Sequence, residues 1–256
     1  MFRTYNTRYG KVTLLDNDMY INGSFANGHY WDENTLLKLK QFIDPNKNIL
    51  EFGGHCGTST LVYASFLNPD NRVYVLEPQK ILYSLLKLNV EQNSLQHKIT
   101  HLNKGVFCFN GPGNMHNFDL DGSPGASVEK RYNEESNLPC NFGGIAVGTD
   151  GEIMQMTTID DLNIPNLGFI HSDAQGSEPY IFWAARNTIR KHKPVIMYEN
   201  YEQYSYLGKQ IHKSYPMYEE ASKFDIKAFC VNELGYQALP FGSENILLLP
   251  SSLHST

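Results

Sequence analysis

The strongest constraint on this chain is an alternation through its middle. Short apolar runs, "KNILEF", "RVYVLEP", "KITHLN", "LGFIHSD" and "KPVIMYEN", are separated by the helical segments "TSTLVYASFL", "KILYSLLKLNVEQN" and "SEPYIFWAARNTIRKH". The runs are too short to be helices, and they lack the polar alternation of a half-exposed strand. They predict strands buried on both faces, in a mainly parallel sheet with helices on both sides. "DIKAFCVN" and "ENILLLP" read as a closing pair of strands, the last one antiparallel. The expected class is therefore α/β and Rossmann-like.

Two segments depart from the rhythm. In the entry segment, 1–45, "KVTLL" and "MYING" read as short strands, and "WDENTLLKLKQFI" as a helix capped by Asp32 and ended by Pro45. Residues 111–151 are rich in Gly, Asn and Asp and predict a hairpin or long loop inserted in the fold. "EIMQMTTIDDL" then reads as a strand and a capped turn. Without a repeat or a linker, 1–256 is expected to be a single domain.

Composition narrows the function classes. The chain is 41% hydrophobic and 19% charged, an ordinary globular balance. Its net charge is −6, without Lys/Arg clusters, which argues against nucleic acid or an anionic membrane as partner. No apolar run is long enough to span a bilayer, and "MFRTYNTRYGKVTLLD" lacks the apolar core of a signal peptide. The four cysteines form no CxxC, so no metal site is expected. Free thiols fit a reducing compartment, and a cytoplasmic location is the expectation.

The stretch "LEFGGHCGTST" lies between a predicted strand and a predicted helix, the context that distinguishes a nucleotide turn from chance glycines. Gly53 and Gly57 permit a sharp turn and a close backbone approach. Glu77 ends the next strand, 20 residues after Gly57, where a carboxylate can accept both hydrogen bonds of a ribose diol. The pattern is E-x-G-x-x-x-G, without the third glycine of a nicotinamide turn. Glu51 would repel a pyrophosphate but suits a ligand with a cationic end, such as S-adenosylmethionine.

The stretches "ILEFGGHCGTST", "VYVLEPQ", "LKLNVEQN", "HLNKGVF" and "FIHSDAQGSEPYIFWAARNTIRKHKPVIMYEN" resemble the FkbM-type S-adenosylmethionine-dependent methyltransferases, from about Asn48 to Glu199. That family shows an acidic-x-G-x-N-x-G turn, an E-P after the second strand and a K-x-D-x-E-G-x-E block. The resemblance implies a class I methyltransferase fold with a seven-stranded sheet, and O-methylation of a sugar hydroxyl on a glycan or glycoconjugate. It implies a cofactor turn of Glu51, Gly53, Gly54, His55, Gly57 and Thr58, a ribose site at Glu77 and Pro78, and an adenine edge near Asn103 and Lys104. Asp173 would face the methyl group. Three positions depart from the pattern: His55 stands for Asn, His171 for Lys and Gln175 for Glu.

A hydroxyl acceptor needs a positioned base. Asp173 is the first candidate, because strand ends in open α/β sheets face the ligand crevice. Glu199 and His171 follow. His29 reads either as part of a cover over the site or as a surface histidine. Asp173, Glu199 and Asn200 contain oxygen ligands for Mg²⁺, but no recurring spacing supports a metal. Phe118 in the insert, and Tyr198, Tyr201, Tyr204 and Tyr206, are candidates for the acceptor mouth. Two other functions stay open: O-methylation of a non-sugar small molecule, and a non-catalytic nucleoside-binding module. The sequence is compatible with an oligomer.

Overall fold

The computed structural model describes residues 2–118, 139–199 and 205–251. The chain enters through an antiparallel hairpin, β1 (Phe2–Thr7) and β2 (Gly10–Leu15), followed by α1 (Ile21–Ala26) and α2 (Glu33–Leu39). β3 (Asn48–Phe52), α3 (Thr58–Phe66), β4 (Val73–Leu76), α4 (Lys80–Gln92) and β5 (Ile99–Leu102) then alternate. A second sheet comprises β6 (Gly105–Val106), β7 (Gly111–Met115), β8 (Val147–Gly148) and β9 (Ile153–Thr157), in the order β6-β9-β7-β8. The alternation resumes with α5 (Ile159–Leu162), β10 (Leu167–Ser172), α6 (Glu178–Trp183), α7 (Arg186–His192), β11 (Val195–Glu199) and α8 (Ser205–Ser214). β12 (Gln237–Phe241) and β13 (Asn245–Leu249) close the main sheet.

That sheet has seven strands in the order β12-β13-β11-β10-β3-β4-β5. β5, β4, β3, β10 and β11 pair in parallel, and β13 is antiparallel to both neighbours. The mainly parallel sheet with an antiparallel last strand is thus present. Its two faces carry separate apolar layers. Ile49, Val73, Val75 and Phe169 pack with Leu61, Val62, Leu82 and Leu86 of α3 and α4. Leu50, Phe52, Leu76 and Ile170 pack with Ile181, Phe182, Ile189 and Phe229 on the other side. Helices therefore cover both faces, as a sheet of buried apolar strands requires.

α4 shows why its sequence reads so clearly. Leu82, Leu85, Leu86, Asn89 and Val90 are its buried stripe. The one polar member, Asn89, is fully used. It accepts from the Thr13 N–H at 2.7 Å and donates to the carbonyls of Thr13 and Cys56. β2 and the glycine turn are thereby fastened to one helix.

Several local expectations are corrected. "MYING" opens α1, because Asp18 Oδ1 accepts the N–H groups of Tyr20 and Ile21 at 3.1 and 2.7 Å and so caps a helical turn. Asp32 sits at the start of α2 with φ +50° and makes no capping bond. "DIKAFCVN" is helical, over Ile226–Ala228 and a π-turn at Phe229–Glu233. Asp225 caps it, and Ile226, Phe229 and Cys230 have helical spacing. "QALPF", in β12, is the true partner of β13. Of "GVFCFN" only Gly105–Val106 is strand, and it belongs to the second sheet. "SEPYIFWAARNTIRKH" breaks into α6 and α7, where Arg186 Nε takes the Trp183 carbonyl. All four cysteines are buried and free. Among the described residues no helix is long and apolar enough to cross a membrane.

Candidate active site

A cavity of about 610 Å³ opens at the carboxyl ends of the parallel strands. Its wall takes Gly53 after β3, Glu77 after β4, Lys104 after β5, Asp173 after β10 and Glu199 at the end of β11. The chain leaves β3 to build β4 and β5 on one side and returns to place β10 and β11 on the other. The cavity thus straddles the topological switch point, where open α/β sheets bind ligands.

Gly53 makes this convergence geometrically feasible. It has φ +77°, and a Cβ there would lie 1.9 Å from the Asp173 carbonyl oxygen. Only glycine lets the ends of β3 and β10 approach this closely. His55, the next unusual position, has φ +49°. Its N–H donates to Glu77 Oε2 at 2.8 Å, and the Gln79 N–H donates to Glu77 Oε1 at 2.8 Å. Glu77 is 3% exposed, and burial pushes its carboxyl up to about 7 against the pull of these donors and of His55. Each oxygen keeps a lone pair beyond its main-chain bond. Asn103 braces the same turn, donating Nδ2 to the carbonyls of Glu77 and Pro78.

The His55 ring points to the entry segment. Nε2 stands 3.4 Å from Asp18 Oδ2 as a charge contact without hydrogen-bond geometry, and Nδ1 lies 3.1 Å from Cys56 Sγ. Burial opposes a charge on this ring, but Cys56 and Asp18 outweigh it and raise its pKa well above the ordinary histidine value. Asp18 is also joined to Cys140 across a parallel bridge, and the Met19 N–H donates to the Cys140 carbonyl at 3.0 Å. Gln79 Nε2 donates to the Phe142 carbonyl at 2.8 Å. These bonds draw the entry segment and the strand-free stretch 139–145 over the glycine turn, and Asn141, Gly143, Gly144 and Ile145 line the cavity.

At the other end, Gln175 has φ +51° and its Nε2 bridges Asp173 Oδ1 at 2.9 Å and Glu199 Oε2 at 3.5 Å. His171 lines the cavity between Tyr63, whose ring it meets edge-on at 5.5 Å, and Glu51, 3.6 Å from Nδ1.

The sequence candidates divide accordingly. Gly53, His55, Thr58, Glu77, Pro78, Lys104, His171, Asp173 and Glu199 all line the cavity. Glu51, Gly54, Gly57 and Asn103 do not. Glu51 is turned inward, 1% exposed, and accepts from the hydroxyls of Ser59 and, at 2.6 Å, Thr60. Those two hydroxyls replace the cationic ligand expected for it. Gly54 faces Val75 and Leu86, and Gly57 starts α3 with φ +85°. His29 is exposed, and neither it nor Phe118, Tyr198 and Tyr206 touches the cavity. Asn200, Tyr201, Tyr204 and residues 119–138 of the expected insert lie outside the described residues. Among the described residues no group of three or more His, Cys, Asp or Glu side chains could hold a metal ion.

Several lining residues carried no sequence signal. Tyr20 and Trp31 form a half-exposed ring pair at the mouth, with centroids 6.3 Å apart. Ser177 is buried, and its hydroxyl has no hydrogen-bond partner. Asp18 could have been found from its cap spacing before α1.

No family model and no curated protein matches the sequence. Solved structures are similar in part. An FkbM methyltransferase from Methylobacillus flagellatus KT is 16% identical, over 80% of this chain and 44% of that one, with a TM-score of 0.47. The chain therefore spans less than half of that protein's length. An O-methyltransferase from Bacillus cereus, in complex with SAH, is 16% identical over 85% and 79% of the two chains, with a TM-score of 0.44. TomG from Streptomyces achromogenes, an O-methyltransferase of tomaymycin synthesis in complex with SAM, is 14% identical over 85% and 78%, with a TM-score of 0.40.

Proposed function

We propose that this chain is an S-adenosylmethionine-dependent O-methyltransferase, and that its acceptor is a sugar hydroxyl. The observation that carries the reading is Glu77. A buried carboxylate held by two main-chain donors, facing a cavity at the switch point, matches the demand of a ribose diol. The cavity volume falls within the roughly 300–1,000 Å³ of small-molecule sites.

The residues present fit the cofactor. Glu77 would accept the ribose hydroxyls, Pro78 and Lys104 would border the base, and Gly53, His55 and Thr58 would line the turn beneath it. When bound, S-adenosylmethionine supplies an electrophilic methyl group on a sulfonium. The chain's task is to align the acceptor hydroxyl and take its proton. Asp173 is the proposed base. Gln175 donates to its Oδ1 at 2.9 Å, which fixes that oxygen and leaves Oδ2 to accept. Glu199 sits across the same amide and orients the acceptor. The sugar assignment draws on the FkbM-type resemblance and on Tyr20 and Trp31 as rings for a sugar face.

Calorimetry tests the reading. S-adenosylmethionine and S-adenosylhomocysteine should bind, NADH should not, and Glu77→Ala should abolish binding. Binding of NADH in their place would overturn it. Cofactor binding without methyl transfer to any glycan or small-molecule acceptor would leave a binding module instead.

A further inference from the structure

Asp18 belongs to the entry segment, yet it is buried, 5% exposed, against the turn that holds Glu77. Its two oxygens have different partners. Oδ1 accepts from the Tyr20 and Ile21 N–H groups and caps α1. Oδ2 stands 3.4 Å from His55 Nε2. Capping needs neither the second oxygen nor the charge, because asparagine caps as well as aspartate. The backbone at position 55 does not need an imidazole, because asparagine also tolerates φ +49°. What the two side chains add together is an ion pair beside the carboxylate assigned to the ribose.

The path between the two carboxylates is short. His55 meets Asp18 with its ring and donates its N–H to Glu77 Oε2 at 2.8 Å. Nε2 is buried and makes no hydrogen bond among the described residues, so the Asp18 charge is what stabilises it there. Asp18 faces the ring from the entry segment, the Cys56 thiol from its own turn at 3.1 Å, and Glu77 from the end of β4. The stretch 139–145 has no charged residue and comes near the ring at Gly143. Beyond Glu77 lies Glu152, which pairs with Lys80 at 3.3 Å. Burial opposes a charge on the His55 ring, but Cys56 and Asp18 hold its pKa well above the ordinary value. Burial lifts the Glu77 carboxyl, and the His55 charge pulls against that rise.

We infer that Asp18 is a positioning residue for cofactor binding: acting through the His55 ring, it keeps a positive charge beside Glu77 and so keeps that carboxylate ready for the ribose diol. This rests on the methyltransferase reading above and brings the entry segment into its cofactor site. The sign of the effect separates this role from others. Two carboxylates acting directly on each other repel, so loss of the Asp18 charge would ease the ionisation of Glu77. Acting through His55 the effect is opposite. Without Asp18 the ring releases its proton more readily, and Glu77 loses a neighbouring cation and ionises at higher pH. Capping alone leaves Asp18→Asn without effect.

Calorimetry of S-adenosylhomocysteine binding to the full chain, from about pH 5.5 to 8, tests this with Asp18→Asn, His55→Asn and the double variant. In the parent, affinity should rise with pH and level off near the Glu77 value of about 7. In Asp18→Asn the levelling point should rise by about half a pH unit, which makes binding about threefold weaker below pH 7 and close to the parent at pH 8. His55→Asn removes the same charge and should give the same shift, so the test stands even if the first variant does not fold. In the double variant the Asp18 change should weaken binding no further, because its route is gone. A shift of the other sign, no shift in a folded single variant, or an Asp18 loss that persists without His55 overturns the inference alone. Failure of the parent to bind S-adenosylhomocysteine overturns the proposed function and the inference together.

Discussion

Replacing Glu77 by glutamine keeps the side-chain shape and removes the charge, and its consequences can be worked from the site. Each carboxylate oxygen accepts one main-chain N–H at 2.8 Å, from His55 or from Gln79. An amide turns one oxygen into an NH₂ group that meets an N–H donor head-on. The ribose also loses an ionised acceptor, worth about 1.5–3 kcal/mol, or roughly a 10–100-fold rise in Kd. The pH dependence is more diagnostic. Burial lifts the Glu77 carboxyl from 4.5 to about 7. Between those values the folded chain holds a proton that the unfolded chain has released. This group's contribution to stability is therefore full below 4.5 and is lost as pH rises to about 7, on the order of 3 kcal/mol. Hydroxyls that donate to the carboxylate favour its ionised form, so cofactor binding has the opposite sign. It should tighten with rising pH, by up to about tenfold per unit below pH 7, and level off above. Glu178 is also lifted to about 7 by burial, but it does not line the cavity, so it shares the stability slope and not the binding slope. Calorimetry with S-adenosylmethionine from about pH 5.5 to 8, in buffers of differing ionisation enthalpy, reads both affinity and proton release. The reasoning is refuted if Glu77→Gln binds within twofold of the parent or keeps the same slope.

Gly53→Ala should cost about 3 kcal/mol and lower Tm by roughly 6–12 °C, because its Cβ would meet the Asp173 carbonyl at 1.9 Å. Gly57→Ala meets nothing closer than the Leu86 side chain, at 3.4 Å, and should cost about 1 kcal/mol of left-handed strain; equal losses in thermal melts would contradict this. His55→Asn should keep cofactor affinity within about threefold, while His55→Ala should lose more, because asparagine tolerates φ +49° and alanine does not. Calorimetry on the pair decides it, and equal large losses in both variants would mean that the ring and not the backbone matters. Asp173→Ala should retain cofactor binding and lose about 10²–10⁴ in turnover with a labelled methyl donor; full activity would remove it from the role of base.

The parts of this protein that could be read in the sequence are those set by local periodicity. Buried strands such as "NILEF" and the stripe of α4 declare themselves, because each residue's environment repeats along its own element. The far wall of the cavity does not. It is built by isolated bonds between distant residues, such as Gln79 to Phe142 and Met19 to Cys140. None of these has a period. Glu51 shows the same limit within nine residues. Its charge suggested a ligand, but Ser59 and Thr60, ordinary helix residues to the eye, turn their hydroxyls inward and occupy it.

His55 joins the two kinds of information. The turn pattern puts it where the FkbM-type turn carries asparagine, and φ +49° is a backbone angle that both residues tolerate. Its ring could not be placed, because nothing in the local pattern points to a partner far along the chain. The partner is Asp18, which sits 37 positions earlier and also caps α1. One residue thus holds Glu77 through its N–H and meets the entry segment through its imidazole. An asparagine at this position keeps the backbone tolerance and the N–H to Glu77 but has too short a side chain to meet Asp18, so the departure from the FkbM-type pattern is a structural exchange. Tight fixing of the turn now depends on the cover that closes over it, and loss of Asp18 should be felt at Glu77 even though the two carboxylates never touch.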